Sequence, residues 1–154
     1  MSHNLNIDKL DIQIMSEMSR NAGISYAELG KKLFISGGTI HVRMKKLQNM
    51  GIIKGTKLSV DLRMLGYEIT AFIGIFTEKN SVYEHIVKQL LKIPGVVRLN
   101  STTGVYSMIA ELVCKNNTAL RDILHAVQQV KGIDRTDTLI SLDESFSRSI
   151  ELEL

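Results

Sequence analysis

Apolar positions in the first third of the chain recur at helical spacing. After Asp8, a suitable N-cap, Leu10, Ile14 and Met18 lie four residues apart, on one face of a helix that ends near Arg20-Asn21-Ala22-Gly23. Ser25-Tyr26-Ala27-Glu28 has the spacing of a capping box and opens a shorter helix that turns Leu29 and Leu33 inward. Ser36 caps a third helix running to Met50, with Gly51 placed for a left-handed C-terminal stop. The link between the second and third helices is short enough to require a tight turn, and two capped helices so joined form a helix-turn-helix pattern. On the third helix Ile40, Met44 and Leu47 make the core stripe. Gly38, His41, Val42, Lys45, Lys46 and Asn49 fall on the opposite face, flanked by Thr39 and Arg43. Residues 52–60 mix β-branched residues with lysine and predict a wing or linking strand. Residues 61–67 predict a short helical turn into a second domain.

Beyond that turn the pattern repeats. Residues 71–101 and 108–138 align without a gap, so that Ile73, Ile75, Ile86, Leu90, Gly95 and Arg98 match Ala110, Leu112, Ile123, Val127, Gly132 and Arg135, and Ser81 matches Thr118. Each copy holds an apolar strand, a capped amphipathic helix, a glycine stop and a second strand. Two such units in tandem predict an α+β chain whose second part is a ferredoxin-like β-α-β-β-α-β domain with both helices on one sheet face. The expected boundaries are 1–57 for the helix-turn-helix domain, 58–66 for a linker and 67–154 for the second domain. Met108, Ala110, Leu112 and Cys114 oppose Ile109 and Val113, and Ala71, Ile73 and Ile75 oppose Phe72 and Phe76, so both sheet faces read as apolar. Helices cover only one, and the other is expected to pack on the sheet of an identical subunit. The tail, with Phe146, Arg148, Ile150, Leu152 and Leu154 alternating with polar residues, is expected to add an edge strand.

Composition sharpens this picture in two respects. With 44% hydrophobic and 23% charged residues the chain has the make-up of an ordinary globular protein. No apolar run approaches a bilayer span, and Met1-Ser2-His3-Asn4-Leu5-Asn6 lacks the features of a signal peptide, so the expected compartment is the cytoplasm, without a membrane partner. Cys114 lies in an apolar run and reads as a core residue. Charge, by contrast, is uneven. Up to Lys57 nine basic residues face four acidic ones, whereas the remainder holds ten basic and twelve acidic.

A basic first third suits a polyanion, and the outer face of the third helix has the shape a major groove admits. Small residues let the backbone approach, hydroxyl and imidazole groups reach base edges, and Lys or Arg neutralise phosphates. The candidate contacts to double-stranded DNA are Ser36, Gly37, Gly38, Thr39, His41, Val42, Arg43, Lys45 and Lys46; the plainer alternative is a solvated helix face. In the second domain Thr102, Thr103, Tyr106, Ser107, Thr136 and Thr138 gather hydroxyls near strand ends, which suits the ammonium and carboxylate of an amino acid. The plainer alternative there is that backbone groups satisfy each one. The chain has no GxSxG, P-loop or HExxH motif, and its four histidines are scattered, so no catalytic residue, metal or cofactor is expected.

Two stretches carry a family resemblance: Ser36-Gly37-Gly38-Thr39-Ile40-His41-Val42-Arg43 with Leu47 and Gly51-Ile52-Ile53, and Thr102-Thr103-Gly104-Val105-Tyr106-Ser107. They resemble the Lrp/AsnC regulators, and the likeness extends from Asp8 to Leu142. The resemblance implies a winged helix-turn-helix, a ferredoxin-like ligand-sensing domain, dimers on pseudo-palindromic DNA and often octamers. It implies an effector held between adjacent dimers near Thr103 and Gly104, with Val105 in the same loop. Ser107 stands where an acidic residue is usual, and Gln48 where Glu often follows the leucine. The Thr-Thr-Gly-x-Tyr-Ser form resembles the asparagine-responsive branch, which makes asparagine the first effector to expect. Two other readings of the same architecture stay open: a sirohaem-decarboxylase-like enzyme, and a DNA-compacting protein without a small-molecule response.

Overall fold

The computed structural model describes residues 6–78 and 83–152. The chain forms two compact units, one comprising Met1–Ser59 with the tail from Phe146, the other Val60–Ser145. No helix among the described residues is long and apolar enough to cross a membrane.

The first unit is built on α1 (Lys9–Arg20), α2 (Tyr26–Lys32) and α3 (Gly37–Asn49). Its caps follow from local chemistry. The Asp11 N–H donates to the Asp8 carboxylate (2.9 Å) while the Asp8 N–H donates to Asp11 (3.2 Å), a reciprocal box that satisfies two otherwise orphaned donors. Ser25 and Glu28 make the same box on α2, and the Ser25 hydroxyl and N–H hold the Glu28 carboxyl below its ordinary range. Ile14, Leu29, Ile40 and Met44 form the core, with Leu10, Met18 and Leu33 packed around it. Gly30 and Gly37 set the closeness of α2 and α3: a Cβ on Gly30 would lie 2.7 Å from the Ile35 carbonyl oxygen, and one on Gly37 3.2 Å from that of Tyr26.

Two helices of this unit end in the same way with different residues. After α3 the Ile52 N–H reaches the Leu47 carbonyl (3.1 Å) and the Gly51 N–H that of Gln48 (2.9 Å), with Gly51 at φ +71. After α2 the Ile35 N–H reaches Gly30 (2.9 Å) and the Phe34 N–H reaches Lys31 (3.3 Å), but the left-handed residue, φ +57, is Phe34. Both are Schellman motifs, and at the second a phenylalanine, 95% exposed, occupies the position that favours glycine. Left-handed backbone costs an L-residue with a bulky side chain about 1–2 kcal/mol, and no burial of this ring offsets it within the unit. Phe34→Gly is therefore expected to raise stability by about 1 kcal/mol, after the greater chain entropy of glycine is deducted, read as a higher denaturation midpoint with unchanged slope. A lower midpoint would contradict it.

Residues 52–60 form no ladder, contrary to the expected wing or linking strand: a strand exists only where a neighbour takes its N–H and C=O groups, and none does so among the described residues. The tail likewise forms no strand across its described residues, and it groups with the first unit instead of the second; Leu154 lies outside the described residues.

The second unit opens with a 3₁₀ turn, Arg63–Leu65, closed by left-handed Gly66. It continues as β1 (Ile69–Thr77), α4 (Tyr83–Leu90), β2 (Val96–Ser101), β3 (Met108–Cys114), α5 (Asn117–Gln128) and β4 (Ile133–Ile140). The sheet order β2-β3-β1-β4, antiparallel throughout, is the ferredoxin-like arrangement expected from the repeat. Asn116 caps α5 by accepting from the Ala119 N–H (2.9 Å), two residues before Thr118; Ser81, its counterpart in the first copy, lies outside the described residues. Ala71, Ile73, Ile75, Met108, Ala110, Leu112 and Cys114 face the helices and are buried with Ile86, Leu90 and Val127. Burial pushes the Cys114 thiol up from its ordinary range, which suits a core residue.

The open sheet face is mixed and not uniformly apolar as the alternation suggested. Phe72, Phe76, Ile109, Val113 and Leu139 share it with Asn100, Arg135, Asp137 and an Arg98–Glu111 ion pair (3.1 Å).

Candidate nucleic-acid interface and ligand loop

Ser36 holds the start of α3: its hydroxyl accepts from the Thr39 N–H (3.0 Å) and lies 2.9 Å from the Thr39 hydroxyl. From there Gly38, Thr39, His41, Val42, Lys45 and Asn49 are exposed along one side, and Val42, at 67% exposure, is an uncovered apolar side chain. The His41 ring approaches Tyr26 with centroids 5.9 Å apart. Among the described residues Lys45 has no ion-pair partner.

Besides Ser36, three of the expected DNA contacts have other duties. Gly37 is half-buried against α2 and belongs to helix packing. Arg43 Nη1 donates to both Asp8 oxygens (2.8 and 2.7 Å) and to Asp11 Oδ1 (2.9 Å), and Lys46 Nζ donates to Asp11 Oδ2 (3.0 Å). The hydrogen bonds to Asp8 and Asp11 raise the Arg43 pKa, while the Arg43 guanidinium and the Asp11 N–H hold Asp8 below the usual carboxylate range. Burial pushes Asp11 up, but hydrogen bonds from Arg43, Lys46 and the Asp8 N–H outweigh it, so its net shift is downward. Asp11 is completely buried, and it ties α1 to α3. Sequence reasoning missed it, although the signal was present: Asp11, Ile14 and Met18 share the inward stripe of α1 at i, i+3 and i+7, and a charge on that stripe demands a partner. Asp8, Ser36, Gly38, Thr39, Val42, Arg43 and Lys46 together line an open hollow of about 590 Å³.

In the second unit residues 102–107 join β2 to β3. The Thr102 N–H donates to the Ser107 carbonyl (3.2 Å), the Thr102 hydroxyl to the Tyr106 carbonyl (2.7 Å), and the Ser107 N–H to that of Ile75 (2.9 Å). Ser107 Oγ accepts from the Thr77 N–H (3.3 Å) and hydroxyl (3.0 Å). Two of the expected ligand hydroxyls thus brace the loop. Thr103, Gly104 and Val105 are exposed, Gly104 at φ +114 with open space where a Cβ would stand. The Tyr106 ring meets Phe76 edge-on, centroids 5.1 Å apart, and the Arg135 guanidinium lies 3.9 Å from the centre of the Phe76 ring.

Thr136 and Thr138 do not join this cluster. They pair with Ile75 and Ile73, whose side chains face the helices, so both threonines project from the face opposite Tyr106; Thr136 accepts from Gln128 (3.3 Å). The strand period of two puts them on the opposite face from the Tyr106 ring, and β1 stands between their strand and the strands that the loop joins.

The three described histidines stand on three separate helices, and the described residues hold no group of three or more metal-ligating side chains.

Residues 7–54 match the family model described as winged helix-turn-helix DNA-binding, and residues 70–150 that of the Lrp/AsnC ligand binding domain. Regulatory protein AsnC of Haemophilus influenzae is 39% identical, over 95% of this chain and 98% of that one. Regulatory protein AsnC of Escherichia coli is 36% identical over 94% and 96%. The solved structure of E. coli AsnC superposes with a TM-score of 0.87 at 35% identity, covering 95% of this chain and 99% of that one. A transcriptional regulator of Neisseria meningitidis, solved as a complex with L-Met, shares the fold at 19% identity, with a TM-score of 0.87 over 96% of both chains.

Proposed function

The chain belongs to the Lrp/AsnC family of transcription regulators, and we propose that it binds pseudo-palindromic DNA as a dimer through the exposed side of α3 and responds to a small amino acid, asparagine first. The observation that carries the reading is the division of labour on α3. Thr39, His41, Val42 and Lys45 are left exposed, while Arg43 and Lys46 are drawn onto α1. Thr39 and His41 have hydrogen-bonding groups for base edges, Val42 suits a thymine methyl, and Lys45 suits a phosphate. The effector is assigned to the exposed part of the 102–107 loop, where the Gly104 backbone and the Tyr106 phenol offer hydrogen bonds to a carboxylate or a side-chain amide. A role without catalysis is the reading supported by relatives named as regulatory proteins.

Dimerisation is assigned to the open sheet face, where Phe72 and Leu139 are exposed. A ligand held between dimers favours the assembly that completes its site and so alters how paired α3 helices meet DNA. The preference for asparagine rests on the identity to proteins named AsnC.

The test has two arms. In a salt series with labelled duplex, Lys45→Ala is expected to flatten the log–log slope by about one and to weaken binding to every sequence alike. An unchanged slope would contradict the interface. Calorimetry with the twenty common amino acids is expected to find one that binds wild type and fails on Gly104→Val, whose backbone at φ +114 no valine adopts without strain. Equal binding to both proteins would remove the ligand from this loop.

A further inference from the structure

Gly74 stands in the middle of β1, an inner strand of the sheet otherwise rich in apolar residues, where a glycine weakens the strand and marks a close approach. Its neighbours Ile73 and Ile75 are buried against the helices, so position 74 faces the open side. A Cβ there would lie 2.4, 2.5 and 2.7 Å from Cε1, Cδ1 and Cζ of Tyr106. Carbon atoms make their optimal contact at about 3.5–4.0 Å, so the ring sits where any side chain at 74 would be. Phe76, two residues along the same face, meets that ring at 5.1 Å. The far side of the loop is held by the Ser107 N–H on the Ile75 carbonyl.

We infer that Gly74 is a positioning residue for the effector loop: by lacking a side chain it provides the floor on which Tyr106 rests against Phe76, and so fixes how Thr103, Gly104, Val105 and the Tyr106 phenol are presented to a ligand. The inference deepens the amino-acid reading of the loop and rests on it for its functional consequence, but its steric part stands independently. The braces from Thr102 and Ser107 fix the loop's backbone ends; the Tyr106 side chain is fixed by β1. An alanine at 74 leaves the strand hydrogen bonds intact and expels the ring.

The experiment compares wild type, Gly74→Ala, Tyr106→Ala and the double variant by near-ultraviolet circular dichroism and by calorimetry with L-asparagine and L-methionine as probes. The chain has four tyrosines and no tryptophan, so the near-ultraviolet band reports tyrosine packing. Gly74→Ala is expected to lose as much of that band as Tyr106→Ala, and to weaken amino-acid binding at least tenfold. The double variant is expected to be no weaker than either single one, because one contact is being removed twice. An unaltered band in Gly74→Ala, or affinity losses that add in the double variant, would overturn the inference. If neither probe binds wild type, the choice of effector fails and the spectrum still decides the seat. Should Gly74→Ala fail to fold, recovery of the fold in the double variant supports the steric coupling, and failure of the double variant while Tyr106→Ala folds refutes it.

Discussion

Asp11→Ala is expected to destabilise the helix-turn-helix unit by about 3 kcal/mol, the largest loss from any single substitution at its surface or its ion pairs. Asp11 has no solvent exposure and accepts from Arg43 and Lys46, whose side chains retain 25% and 36% exposure. Removing Asp11 leaves Lys46 without its partner and Arg43 with Asp8 alone; breaking a buried ion pair costs about 3–5 kcal/mol, and the partial exposure of the two cations together with the retained Arg43–Asp8 contacts places this case at the lower end. Asp8, more than half exposed, cannot substitute for it. The sign of the pH dependence follows from the depressed pKa of Asp11. Its stabilisation is fully present above the unfolded carboxylate value near 4 and is lost as pH falls through the lower folded value. Denaturation midpoints of wild type are therefore expected to fall steeply below about pH 4, and those of Asp11→Ala to fall less. Equal stability of the two proteins at pH 7 would show that the network contributes nothing.

Phe72→Lys is expected to dissociate the proposed dimer by at least a hundredfold. Phe72 is exposed on the open sheet face, flanked across the strands by Glu111 and Leu139. Within one protomer a lysine there is tolerated, because Glu111 lies directly opposite and opposite charges on paired strands attract. In a sheet-to-sheet interface the same lysine is buried twice, once from each subunit, and a total penalty of about 3 kcal/mol corresponds to that hundredfold. Sedimentation of wild type and variant over a concentration series measures it. A variant as dimeric as wild type would move the interface elsewhere, and a monomeric wild type at micromolar concentration would remove it.

What the sequence made legible was whatever depends on period and on local chemistry. Ser25 and Glu28 announce their capping box, Gly51 its left-handed cap, and the 37-residue repeat the order of the sheet. Less legible was anything decided by a partner distant in the chain. Arg43 and Lys46 resemble phosphate contacts from α3 alone; only when α1 is laid against it do Asp8 and Asp11 claim them. Thr136 and Thr138 looked like companions of Tyr106 by residue type, but the register of β4 against β1 puts them through the sheet from it. Residues 52–60 have strand composition and, among the described residues, no neighbour to pair with, which composition does not reveal. Gly74 was visible as a glycine within an apolar strand, but the ring that requires it comes from a loop thirty-two positions later.

The most direct test is the affinity for DNA with and without amino acid. A duplex selected from a randomised pool is titrated with the full chain at fixed salt, in the presence of each of the twenty common amino acids in turn. At least one, asparagine before the others, is expected to change the dissociation constant about fivefold or more, the lower bound of ordinary allosteric coupling. A chain that selects no sequence from the pool, or one whose affinity for the selected duplex is the same under all twenty conditions, would contradict the account.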